Sequence, residues 1–190
     1  KWESLHRDPQ QRRFPDPRKT RHLLKIGEKL ALKRSKLLSE IIQHNPHEAL
    51  ERALPRELVN AAIIPPQIRK NLEKWESGLA NLDVYYGCKG GDHLNCEFSR
   101  YTNFPDGRTL KTFAYGRRKN IHSQKGLAVW GVSINDHFAV SDKAYFEEES
   151  GVVEFAGSPL TFSSTAEKNL FKIQSFQAER RAQTLRSSVQ

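Results

Sequence analysis

The sequence predicts an α+β protein. A basic amphipathic helix and short proline-bounded helices lead into a small antiparallel β barrel or sandwich-like sheet, and a C-terminal helical tail follows. Three observations predict it. Apolar residues recur in steps of three and four between residues 20 and 44, then alternate in short runs between residues 79 and 149. Turn signals crowd the second region, with Gly90-Gly91 and Asp106-Gly107 among them. Charge is also divided along the chain: 17 Lys/Arg against 10 Asp/Glu in residues 1–77, nine against nine in 78–150, and five against three in 151–190. The net charge of +9 therefore belongs mainly to the helical flank and not to the β region.

A chain of 190 residues allows one or two domains. Its 37% hydrophobic content and mean hydropathy of −0.70 are polar for a single globule, so exposed helices should flank a smaller packed unit. No apolar run approaches the roughly 20 residues that span a bilayer, so no membrane span is expected. The first residues lack the apolar centre of a signal peptide, and methionine is absent throughout. Lys1 is accordingly expected to follow a cleavage or to begin a piece of a longer protein.

Residues 1–19 hold Pro9, Pro15 and Pro17 among polar side chains and read as an extended arm. Residues 20–78 form the helical region. Leu23, Ile26, Leu30, Leu37 and Ile41 make a stripe that Leu24, Leu38 and Ile42 widen, and Lys25, Lys29, Lys33, Arg34 and Lys36 cover the other faces. Asn45-Pro46 should stop this helix near His44. Three shorter helices are predicted over 47–54, 56–62 and 67–75, where Pro55 and Pro66 suit first-turn positions and Ser77-Gly78 a stop.

Residues 79–157 form the antiparallel β module. Strands are predicted over 79–86, 94–102, 109–117 and 127–132, with Asp106-Gly107 as a hairpin turn and a tight hairpin over 134–138 from which residues 138–140 return. Residues 145–149 read as an edge strand whose acidic run discourages further pairing. Residues 158–190 are linker, then a helix from Ser164 or Thr165 whose Glu167 partly completes a capping box, with an end polar enough to fray.

Few residues suggest chemistry. Cys88 and Cys96 flank a glycine-rich turn and are disulfide candidates, which would suit a secreted or periplasmic setting; reduced thiols would suit the cytoplasm. Two free thiols, a catalytic thiol, and a metal site adding His93 with His122 or His137 are the alternatives, although the spacing is unlike that of zinc sites. Gly87, Gly90 and Gly91 match no phosphate-binding pattern. Asp136 and His137 are strand neighbours that point apart, and no serine sits in a nucleophile elbow. No catalytic residue, metal or cofactor is assigned. Arg117, Arg118 and Lys119 follow Phe113 and Tyr115 at a strand end, and basic residues beside aromatics on a small barrel suit single-stranded nucleic acid.

Two stretches, residues 44–78 with their "ALERALP" run and residues 112–132 with Lys125-Gly126-Leu127-Ala128-Val129-Trp130-Gly131-Val132, resemble the amino-terminal region of large secreted bacterial multidomain proteins, including some peptidases. The resemblance spans roughly residues 37–149. It implies a non-catalytic, prodomain-like unit that folds beside larger domains and transfers no catalytic residue.

The leading expectation is thus an interaction module packing on other parts of its parent polypeptide or complex through Lys25, Lys29, Lys33, Arg34, Arg117, Arg118 and Lys119. A nucleic-acid-binding module using the basic helix and the 117–119 patch is the alternative, and a metal- or thiol-dependent enzyme comes third.

Overall fold

The structure, a computed structural model, describes residues 17–88, 96–148 and 150–187. The expected arm therefore lies outside the described residues as far as residue 16, and residues 17–19 are already helical. Helix α1 runs over Pro17–His44, with proline in the first turn, where its missing N–H leaves no bond unmade. It stops at Asn45, as the following proline dictates. The Asn45 side chain then caps α2 (Pro46–Glu51), accepting from the Glu48 N–H at 3.3 Å.

Helices α3 (Arg56–Asn60) and α4 (Pro66–Arg69) are shorter than predicted. The third predicted helix, 67–75, ends early because Lys74 opens strand β1 (Lys74–Cys88). Trp75 and Glu76 pair with Val132 and Gly131, so sheet hydrogen bonding claims a segment whose apolar spacing also fits a helical turn. Residues 74–78, placed in the helical region by sequence, belong to the sheet.

The remaining elements are β2 (Cys96–Asn103), β3 (Thr109–Ala114), a 3-10 helix (Gly116–Asn120), β4 (Gln124–Ile134), β5 (His137–Val140), β6 (Tyr145–Glu147), β7 (Val153–Phe155), β8 (Ser158–Leu160) and helix α5 (Thr165–Ser187). Strands β1-β2-β3-β5-β4 close into a barrel. Strand β1 supplies both seams: its first half pairs with β4 and its second half with β2, with a register shift between Ala80 and Leu82 where it bends. The pairings are antiparallel except β3 with β5, which is parallel. The expected antiparallel module thus holds one parallel pair. The chain leaves β3 through the 3-10 helix and β4, and so returns in β5 with the direction of β3. This is the connectivity of an OB-type Greek-key barrel. Strands β6-β7-β8 make a separate antiparallel sheet, with the predicted edge strand as its outer member β6.

Three apolar clusters hold these layers. Leu82, Leu110, Leu127, Val129 and Phe138 fill the barrel, where Phe104 meets Phe138 edge-on at 5.7 Å. On its outside, Leu38 and Ile42 of α1 and Ala49 of α2 cover Val132, Ile134 and Ala139. Ala31, Val59 and Leu72 join α1 to the short helices. Each large side chain so buried is worth about 1.5–3 kcal/mol. Phe171 of α5 packs on Tyr145, Phe155 and Phe162 at 5.5–6.0 Å, and Lys168 and Lys172 bond Glu147. At the start of α5, the Ser164 hydroxyl accepts from the Glu167 N–H, and the Glu167 carboxylate accepts from the Ser163 N–H. The box is displaced by one residue from its usual form.

Candidate functional site

Helix α1 is 28 residues long and has more apolar surface than the other described residues cover. Its inward arc (Ala31, Ser35, Leu38, Ser39 and Ile42) is buried. Beside that arc runs a second apolar stripe, with Leu23, Leu30 and Leu37 seven residues apart and 65%, 61% and 59% exposed. Residues seven apart lie two helical turns along one face. Ile26 extends the stripe, and a groove of about 570 Å³ deepens it between Leu30, Leu37 and Ile41, with Lys33, Arg34 and Arg52 at its rim. Lys33 is exposed beside the stripe and Lys29 one step further round the helix, whereas the exposed Lys25 projects from the far side. The result is an apolar seam under a positive border.

Arg34 stands at the boundary of the two arcs and has a structural task. Its Nε donates to the carboxylate of Glu73 at 3.1 Å, one Nη closes a second bond to that carboxylate, and the same group reaches the Arg52 carbonyl at 2.8 Å. The Glu73 carboxylate is wholly buried and also accepts the Leu54 N–H at 2.8 Å. Burial pushes its pKa up, but the Arg34 and backbone hydrogen bonds outweigh this and hold it below the usual carboxylate value. The pair locks α1, the loop after α2 and the start of β1 together. Arg34 thus contributes charge to the groove rim from a fixed position.

The sequence patch 117–119 separates into three roles. These residues occupy the 3-10 helix and not a strand end, and three residues per turn send consecutive side chains in different directions. Arg117 is exposed, 4.0 Å from Asp142. Arg118 is buried, donating to the carbonyls of Ala128 at 2.7 Å and Lys143 at 3.3 Å. It is a strut for the barrel end and is removed from the expected binding set. Lys119 is exposed, and its carbonyl accepts from the Arg100 guanidinium.

Cys88 and Cys96 stand directly opposite one another in the β1–β2 register. Their side chains, and residues 89–95 with His93, lie outside the described residues. Among the described residues no group of three His, Cys, Asp or Glu is placed to hold a metal. His137 bonds Ser39 at 2.6 Å and lies 3.8 Å from the exposed Asp136, too far for a shared proton.

Sequence reasoning missed a second concavity, a cleft of about 280 Å³ between β2 and β3 lined by Phe98, Arg100, Lys111, Phe113 and Lys119. They come from two strands and the 3-10 helix, and only the closed barrel brings them together. The one available signal was the exposed alternation of aromatic and basic residues along 98–101 and 111–115. No family model, curated protein or solved structure matches the chain. Among the described residues no helix is long and apolar enough to cross a membrane.

Proposed function

We propose that this chain is a non-catalytic docking module, prodomain-like in role, that seats its α1 seam on another domain or subunit of a secreted bacterial protein. The observation that carries this reading is the Leu23–Leu30–Leu37 stripe. These leucines are exposed although α1 is already anchored to the barrel through its neighbouring arc. An apolar helix face that the described residues leave uncovered marks an interaction surface. The seven-residue spacing and the adjoining groove suit a helix laid alongside.

The border specifies the partner's chemistry. Lys29 and Lys33 call for Asp or Glu flanking the partner's apolar residues. A second copy of this chain is a poor fit, because it would oppose the same lysines to one another. The occupant is therefore an acidic amphipathic segment of the parent polypeptide or complex. In the oxidising setting this implies, Cys88 and Cys96 form a disulfide across the β1–β2 ladder.

A photo-reactive residue placed at Leu37 in the parent polypeptide tests the reading. Cross-links should fall on an acidic amphipathic segment and disappear when Lys25, Lys29 and Lys33 are all changed to Glu. Cross-links confined to this chain, or a monomer that binds no other part of its parent, would refute it.

A further inference from the structure

A different surface gathers its own set of side chains. The β2–β3 ladder extends only from Asn103↔Thr109 to Tyr101↔Lys111. Beyond that point β2 continues along β1, and β3 along β5, but the two no longer pair with each other. The turn joining α1 to α2 and Lys119 of the 3-10 helix border the resulting gap, which is the 280 Å³ cleft.

The charge of this cleft differs from that of the ion pairs elsewhere on the fold. Arg34, Arg56, Arg108, Lys168 and Lys172 each meet a carboxylate. By contrast, the cleft gathers Arg100, Lys111 and Lys119, and no Asp or Glu lines it. One Nη of Arg100 is spent on the Lys119 carbonyl, and its buried Nε finds no hydrogen-bond partner among the described residues. Converging cations without an internal counter-charge make a site for an external anion.

The rings give that anion its class. Phe98 is 59% exposed, and Tyr86 stands 4.9 Å from it across the β1–β2 ladder. The Arg100 guanidinium lies 5.8 Å from the Phe98 centroid, and Lys111 Nζ lies 5.7 Å from that of Phe113. An exposed ring flanked by cations suits a chain that alternates flat bases with phosphates. An acidic peptide would use the charges and leave the rings idle. The barrel topology alone assigns no ligand.

We propose that the β2–β3 cleft binds single-stranded nucleic acid, with a base stacked on the Phe98 ring and phosphates held by Arg100, Lys111 and Lys119. The test is fluorescence anisotropy of a labelled oligothymidylate over a salt series. Three phosphate contacts give a log–log salt slope of roughly −2 for a single strand. Phe98→Ala weakens binding roughly tenfold with the slope unchanged, and Phe98→Trp restores it. Lys111→Ala and Lys119→Ala each flatten the slope by about 0.7.

All three positions are exposed, so the fold should survive, and thermal melting checks that it does. Changing Lys25, Lys29 and Lys33 together to Ala leaves the affinity unchanged, which separates this site from the α1 seam. The proposal is overturned if no oligonucleotide binds at low salt, if Phe98→Ala has no effect, if only the α1 lysines matter, or if poly-glutamate displaces the oligonucleotide at equal charge.

Discussion

Glu73→Ala tests how α1 is held to the barrel. The buried carboxylate accepts two bonds from Arg34 and one from the Leu54 N–H. Removing one partner of a buried ion pair costs about 3–5 kcal/mol, chiefly by stranding the other charge. The Arg34 side chain is 32% exposed and recovers part of its hydration, so about 3 kcal/mol is expected. Glu73→Gln keeps an acceptor for Leu54 and should cost about half as much. Arg34→Ala strands a carboxylate with no exposure at all and should cost at least as much as Glu73→Ala. Urea denaturation measures each variant, with the midpoint falling at constant m. The double mutant should lose less than the sum of the single mutants, by about 1–3 kcal/mol. Strict additivity, or a loss below about 1 kcal/mol for Glu73→Ala, would refute the lock described here.

Further consequences follow from the same contacts. A Cβ at Gly131 would sit 2.0 Å from the Ala139 carbonyl oxygen and 2.9 Å from the Phe138 ring, so Gly131→Ala must push β4 from β5. That should cost about 3 kcal/mol and lower Tm by about 6–12 °C. Hydrogen bonds from Lys168 and then Lys172 lower the pKa of Glu147 from 4.5 to about 2. A depressed carboxylate stabilises the fold above its unfolded value and loses that contribution as pH falls through its folded value. The stability gap between the wild type and Glu147→Gln, followed by thermal melting, should therefore be full near neutral pH and close between 4.5 and about 2. Opposed residues of a ladder have Cβ atoms about 4.5–5.5 Å apart, near bridging distance for Cys88 and Cys96. Intact mass should rise by two hydrogens on reduction, and loss of the bridge should cost about 2–3 kcal/mol.

The parts of the fold set by local chemistry were legible in the sequence. The three- and four-residue apolar steps mark α1, Asn45-Pro46 marks its end, and Asp106-Gly107 marks the β2–β3 turn, where Gly107 takes a φ of 86°. Asn135 accepts a φ of 55° at the tight turn into β5, as asparagine tolerates. What was hidden depends on partners distant in sequence. Residues 72–75 fit a helical turn until β4 supplies hydrogen bonds to 74–80. The parallel β3–β5 pairing leaves no local signature. Arg118 reads as a surface cation because nothing nearby in sequence shows that the carbonyls of Ala128 and Lys143 converge on it. The α1 leucines were visible, but the sequence could not show that the barrel buries only the neighbouring arc. The cleft residues come from two strands that separate and from the 3-10 helix, and only the closed barrel brings them together.

The docking claim meets its most direct test in calorimetric titration with a helical peptide that places leucines along one face and glutamates beside them. Binding should be saturable, one peptide per chain, and weakened by salt. Leu30→Glu with Leu37→Glu should weaken it by roughly a hundredfold while leaving the melting temperature unchanged, since both leucines are exposed. Peptide binding that is indifferent to those two substitutions, or no binding at low salt, would contradict the assignment of the α1 seam.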